Sequence, residues 1–464
     1  MEYDRLTGLD ASFLHLESEA QPMHVGSVAT FEGPPFSDEA GRFRLEDARE
    51  VISSRLHLVP RFRKKIMTVP FGQGRPIWVD DHDFDLNYHV RLTALPKPGN
   101  EEQLKTLMGR LQSTVLDRRR PLWELWFVEG LEGDRVAIIQ KTHHALVDGI
   151  SGVDVATVLL DFEPDPEPVK APTWTPKRPP SPMQLLRDSV VERATVPAEM
   201  IRSARAVARG PRQIVNRFTK AVQTLAAMGS LAPRTPLNVA VGPHRRVEFV
   251  RADLAPVKEA KRTLGATVND VVLAAVGGGV RHFLEARGEA VDGLTLKTFV
   301  PVSVRDDSQR MALGNKVSGV LVDLPVGVVD PVERVALIGT QTRHLKETQQ
   351  AVGAEVLTGL ADYAPATLFS LAARLMPFQR SINIGVTNVP GPQQPLYCMG
   401  ARMLEAFPYV GAFAGAAVVI AVLSYDGALG FGLTGDRDAI PDLGVLAEGI
   451  EKSLAELEQA SDGG

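Results

Sequence analysis

Along this chain the spacing of apolar residues switches repeatedly between the period of a strand and that of a helix. Val25–Phe31 reads as a strand, and Arg44–Leu58 as a helix that ends before Pro60. Leu104, Leu107, Leu111 and Val115 share one face of a helix over Glu102–Leu116. Leu122–Val128 and Val136–Gln140 are short runs rich in Trp, Phe, Val and Ile, as strands are. The second run leads into Lys141-Thr142-His143-His144, with a helix expected over Ile150–Leu160. In the second half, strands are expected over Val247–Val250, Leu296–Val302, Val317–Leu324, Ser381–Val389, Met403–Tyr409, Gly415–Leu423 and Leu429–Thr434. Helices are expected over Leu254–Leu264, Val268–Arg287, Val332–Gln349 and Leu443–Leu457. Strand and helix alternate in both halves, so the fold class is α/β (α+β).

The pattern breaks once. Residues 162–182 hold eight prolines, each of which removes a backbone donor, so this stretch reads as an extended, semi-rigid linker. From Met183 to Met228 the spacing turns helical, with Arg187, Arg193, Arg202, Arg205, Arg209, Arg212, Arg217 and Lys220 between the apolar positions. Such helices either connect two domains or lie on an anionic lipid surface. The expected organisation is residues 1–161, a connector over 162–236, and a second unit over 237–464. The longest apolar run, Val410–Leu423, has 14 residues, short of the roughly 20 a membrane helix needs. It reads as buried strand, and any membrane contact is expected to be peripheral.

Composition narrows the classes. A chain of 464 residues suits two large domains, and 44% hydrophobic with 23% charged residues is enough for a core. The net charge of −5 lacks the basic surplus of a nucleic-acid binder. A single cysteine, Cys398, excludes an intramolecular disulfide and Cys-cluster metal sites, and fits a reducing cytoplasm. The N-terminal stretch is acidic where a signal peptide is basic and apolar.

The densest chemistry is His143-His144-Ala145-Leu146-Val147-Asp148-Gly149, directly after a strand. Histidine exchanges a proton near neutral pH, a carboxylate four residues on can fix local geometry, and Gly149 permits a turn. Neighbouring residues on extended backbone point opposite ways, so one histidine faces a substrate. By chemistry alone the readings are general-base catalysis, a structural histidine pair, or metal ligation; the spacing lacks the HExxH pattern. Other motifs fail. Gly430–Gly435 satisfies GxGxxG, but Asp436–Pro441 follows where a helix is required. Gly277-Gly278-Gly279, inside a helical pattern, marks close packing or ligand approach.

The HHxxxDG string resembles that of the CoA-dependent acyltransferase superfamily. Pro121-Leu122-Trp123-Glu124, Thr267-Val268-Asn269-Asp270-Val271 and Asn388-Val389-Pro390-Gly391-Pro392 narrow the resemblance to the bacterial wax ester synthase/diacylglycerol acyltransferase family. Pro22-Met23-His24-Val25-Gly26 and Ser424-Tyr425-Asp426-Gly427 agree with it. The resemblance implies two chloramphenicol-acetyltransferase-like domains with the site between them. It implies acyl-CoA as co-substrate, diacylglycerol or a fatty alcohol as acceptor, no bound cofactor, no metal and no nucleic acid. His144 would be the general base and His143 its neighbour in the site. Asp148 would be a structural partner of an arginine, Arg63 or else Arg305. Asn269 would stabilise the oxyanion or orient a substrate, with helix capping as the competing role for Asn269 and Asp270. Trp123 would pack beneath the site. Attachment to a membrane or lipid-droplet surface from the cytoplasm is also expected. A hydrolase using the same histidine, or an idle lipid-binding protein, are the alternatives.

Overall fold

The computed structural model describes residues 3–146, 160–191, 232–303, 317–347, 381–413 and 415–462. Two six-stranded mixed sheets organise it. The first takes most of its strands from the N-terminal third: β1 (His24–Glu32), β4 (Val90–Ala94), β5 (Trp123–Leu131) and β6 (Arg135–His143). The second contains β7 (Arg245–Asp253), β8 (Leu296–Ser303), β9 (Val317–Leu324), β10 (Ile384–Pro390), β13 (Val418–Tyr425) and β14 (Ala428–Asp436). A two-stranded ribbon pairs β2 (Lys64–Met67) with β3 (Ile77–Asp80). These strands match the expected runs to within a few residues, apart from the short β2, β3 and β4, whose apolar runs are too brief to signal.

The two sheets are not built from separate halves of the chain. β11 (Tyr397–Cys398) and β12 (Ala401–Val410) leave the second sheet and extend the first, giving the order β11-β12-β1-β6-β5-β4. β12 runs antiparallel to β1, with Val25 opposite Val410 and Ala29 opposite Ala406. Its other side lies against β14. A side chain at Gly432 would place Cβ 1.8 Å from Pro408 O, and one at Gly430 would place it 2.2 Å from Ala406 O. The GxGxxG string is therefore a strand whose glycines admit a neighbouring backbone.

Helices cover the second sheet. Val268–Ala286 is buried along most of its length, and Leu443–Asp462 packs closely against it. An added Cβ at Gly278 would meet Ser453 Oγ at 2.2 Å, and at Gly279 it would meet Ile450 N at 2.9 Å. The triple glycine serves helix packing. The run Val410–Leu423, read as one buried strand, is divided: Val410 ends β12, and only its last six residues lie in β13, which is buried at every position and paired in parallel with β10. No single helix among the described residues is long and apolar enough to cross a membrane. Between the sheets, helix Glu101–Ser113 lies on β7: Ser113 Oγ accepts from Arg245 N (2.9 Å), and Lys105 Nζ meets Glu248 Oε2 at 2.7 Å. Val28, Leu107 and Ile139 join Phe249, Phe407 and Tyr409 in one core at this junction.

The Pro-rich stretch has no regular structure from 162 to 181, and 182–191 is helical. It is held along its length: Lys177 N donates to Asp80 Oδ2 (2.8 Å), and Trp174 lies edge-on to Phe84. The expected helix Ile150–Leu160 falls almost wholly outside the described residues, as do most of the basic segment 183–228, Asp148, Gly149 and Arg305.

Substituting Gly432 by Ala should destabilise the protein by about 1–3 kcal/mol or more, because backbone, not a flexible side chain, must yield. A urea midpoint equal to that of wild type would contradict the close approach of β12 and β14.

Candidate active site

The site grows from the end of β6. His143 is its last residue, paired with His24 across β1, and its backbone N–H donates to Leu122 O (3.0 Å). The next N–H, of His144, donates to Met23 O (2.8 Å). Leu146 N then closes a turn on His143 O (2.9 Å). Three strings far apart in sequence, Pro22–Gly26, Pro121–Glu124 and His143–Leu146, thus meet through backbone hydrogen bonds. Gly26 is required there, since a Cβ would lie 2.0 Å from Gln140 O.

The two histidines part as alternation predicts. His143 is fully buried; its Nδ1 accepts the Ala145 N–H at 3.0 Å. His144 is half-buried and stacks on Phe13, with ring centroids 4.4 Å apart and planes at 20°. Burial, followed by neighbouring His143, pushes His144 down to about 4, so it is neutral across the physiological range.

Phe13 stands on helix Gly8–Leu16, an element the apolar spacing does not reveal. A capping box starts it: Asp10 N donates to Thr7 Oγ1 (3.1 Å), and Asp10 Oδ2 accepts from Thr7 N. Thr7-x-x-Asp10 is a sequence signal for this start. Glu17 ends the helix and turns inward, its side chain 5% exposed. Glu17 Oε1 lies 3.3 Å from His143 Nε2, 3.5 Å from His24 Nε2 and accepts from Met23 N at 3.2 Å. The two imidazole contacts are close approaches that lack hydrogen-bond alignment. Arg118 donates to the other oxygen, Nη2 at 2.8 Å and Nε at 3.1 Å, and to Leu14 O at 2.7 Å. Burial alone would raise the Glu17 carboxyl, but His143, Arg118 and His24 outweigh it and hold it at about 2. Burial and then the Lys141 charge keep His24 well below its usual range, hence neutral.

Beneath the turn, Trp123 is sandwiched between Phe62 (4.9 Å) and His89 (4.5 Å), and its Nε1 donates to Phe62 O at 2.8 Å. It packs in the core beneath the turn, as expected. Arg63 follows Phe62 in a short 3₁₀ turn; its guanidinium donates to Ser53 O (3.3 Å) and lies over Trp174. Asp148 and Gly149 fall outside the described residues, so their expected roles have no geometry here. Asn269, half-buried, is the second residue of helix Val268–Ala286, and among the described residues no hydrogen bond joins it to the histidine turn. The capping role falls to Asp270, which accepts from Thr267 N at 2.8 Å. Cys398 is buried and its thiol is pushed up to about 12 by that burial, which denies it a nucleophile's role.

Two six-stranded mixed sheets and a neutral, half-buried histidine just beyond the end of a central strand are what the fold and the turn supply. The family model described as wax ester synthase/diacylglycerol acyltransferase catalytic domain matches residues 6–272, and the WS/DGAT C-terminal domain matches 313–458. The chain belongs to this family of acyltransferases. A Mycobacterium tuberculosis relative named as a probable diacylglycerol O-acyltransferase, tgs2, is 35% identical over 457 residues, covering 97% of this chain and 98% of the relative. The solved wax ester synthase/diacylglycerol acyltransferase from Marinobacter aquaeolei VT8 is 28% identical, covers 99% of this chain and 100% of its own, and superposes with a TM-score of 0.69. The starter condensation domain of rhizomide synthetase, solved with C8-CoA, shares the fold at 10% identity, with a TM-score of 0.54 over 99% of this chain and 94% of that one.

Glu17 links the site to acid stability. Its folded-state pKa, about 2, lies below the unfolded value, so its contribution is complete above about pH 4.5 and is lost as pH falls through about 2. The contribution is on the order of 3 kcal/mol. Denaturant titrations should therefore show wild type ahead of Glu17→Gln at pH 6, with the gap closing toward pH 2. A gap that does not change with pH would contradict the assignment.

Proposed function

We propose that this enzyme transfers the acyl group of an acyl-CoA directly to the hydroxyl of diacylglycerol, and also to a fatty alcohol, with His144 as general base. The observation that carries this reading is His144 itself: neutral, half-buried, stacked on Phe13 and fixed through its backbone to Met23 O. The imidazole takes the hydroxyl proton as the oxygen attacks the thioester carbonyl; the carbon–sulfur bond then breaks, and the imidazolium returns the proton to the coenzyme A thiolate. Holding both substrates together supplies the proximity that a one-step transfer requires. No acyl-enzyme is involved. In this reading Asp148 pairs with Arg63 or Arg305 to brace the turn, and Asn269 meets the developing oxyanion.

His144→Ala should lower kcat by roughly 10²–10⁴-fold in a thin-layer assay of acyl-CoA with diacylglycerol. Activity equal to wild type would remove the base assignment. His143→Ala should cost folding stability more than chemistry. The pH profile gives a second check, since protonation silences the base. For wild type, kcat/KM should hold down to about pH 4 and fall below it. Phe13→Ala relieves burial and should move that limb upward, toward the usual histidine value of about 6.5. An unmoved limb would contradict burial as its cause.

We further propose peripheral attachment, from the cytoplasm, to a membrane or lipid-droplet surface. The helical segment 182–191 exposes Met183, Val190 and Val191 beside Arg187, and the sequence beyond it is basic. Each basic residue near an anionic surface adds about 1 kcal/mol and is screened by salt. Co-sedimentation with anionic vesicles should weaken as salt rises; an absence of binding at low salt would overturn the proposal.

A further inference from the structure

We propose that Glu17 is a positioning residue of the reaction: its carboxylate fixes His143 as the Nε2–H tautomer and so holds the backbone turn that presents His144. This inference rests on the reading of His144 as base.

The argument begins at the opposite nitrogen. His143 Nδ1 accepts the Ala145 N–H at 3.0 Å, so that nitrogen bears no proton, and an imidazolium would set two donors against each other. The ring's one proton must then sit on Nε2. That nitrogen is buried and faces Glu17 Oε1 at 3.3 Å. The partner of one ring nitrogen decides the protonation of the other. A negative oxygen at Nε2 favours the proton there, which leaves Nδ1 free to accept from Ala145. Ala145 is the residue after His144, so this hydrogen bond closes the turn just beyond the base. A second path runs through the backbone. Glu17 Oε1 also accepts from Met23 N, and Met23 O receives the His144 N–H. A third runs through the helix that Glu17 ends, which carries Phe13 onto the His144 ring. The carboxylate thus touches two supports of His144, and the Glu17 backbone ends the third, without contact to the base.

Glutamine cannot replace it. With the amide oxygen toward His143 and Met23, the NH₂ group faces the Arg118 guanidinium; flipped, the NH₂ group faces the Met23 N–H and His143 Nε2. Either way donor meets donor. Outer partners of this kind typically contribute 10–100-fold to activity. Lost charge is therefore the variable, and Glu17→Asp, which retains it, should recover part of the rate.

The experiment combines kinetics with nitrogen NMR of histidine-labelled full-length protein, at a temperature where circular dichroism shows every variant folded. Wild type should show His143 with a protonated Nε2 and an unprotonated Nδ1. Glu17→Gln should lower kcat roughly 10–100-fold, with KM for acyl-CoA nearly unchanged, and should shift the His143 resonances toward the other tautomer. A wild-type His143 protonated on Nδ1 overturns the proposal whatever the variants do. So does a Glu17→Gln enzyme with wild-type kcat, or one whose kcat and KM worsen together while His143 keeps its tautomer. The tautomer is also read in His144→Ala, with and without Glu17→Gln. A shift there upholds the hold of Glu17 on His143 even if His144 proves not to be the base.

Discussion

The pairing of β12 with β1 is the constraint on which the site depends. β1 is a nine-residue strand of mostly small residues, and without β12 it would be an edge. With β12 on one side and β6 on the other, its register is fixed from both directions. That register sets His24 opposite His143 and places Met23 O where the His144 N–H can reach it. β12 can take this place only because Gly430 and Gly432 let it pass against β14. A contact between backbones in the second half of the chain thus determines the position of a histidine in the first.

Around the turn, Arg118 balances Glu17, and burial keeps His24 and His144 neutral. Glu17 is the only carboxylate in contact with His143 and His24 among the described residues, and Arg118 balances it from the solvent side. Lys141, the next cation along β6, is directed away to the carbonyls of Leu111 and Thr114. Removing Arg118 would leave the buried Glu17 carboxylate without its guanidinium, which costs several kcal/mol. The turn therefore has little freedom to adopt a second arrangement.

Much of the fold was legible because it is locally encoded. Glu101–Ser113, Val268–Ala286 and Leu443–Asp462 carry long apolar periods, and β13 is an unbroken apolar run. The role of β12 was not legible: its own alternation shows a strand but not which sheet it joins, since that depends on residues far away in the chain. Helix Gly8–Leu16 was missed because its nine residues hold glycine, aspartate and serine among the apolar ones; its capping box was the available signal. In the site, the histidines and Trp123 stood out as motifs. Glu17, Phe13 and Arg118 did not, because a single carboxylate, ring or guanidinium acquires meaning only from what folds beside it.

The low basicity of His144 is at odds with its proposed work only while the proton transfer is considered alone. A pKa of about 4 measures the cost of placing an isolated positive charge in a buried site. In the proposed mechanism the charge is not isolated during the reaction, because the imidazolium forms as the tetrahedral oxyanion forms beside it. The low dielectric that penalises a lone cation strengthens the attraction of that pair. Burial therefore penalises protonation in the resting enzyme, where it would be unproductive, and relaxes the penalty in the transition state. Interactions that are stronger there than in the ground state are the ones that raise a rate. Under that mechanism Phe13, which stacks on the ring and helps to bury it, would support catalysis by the same contact that lowers its basicity.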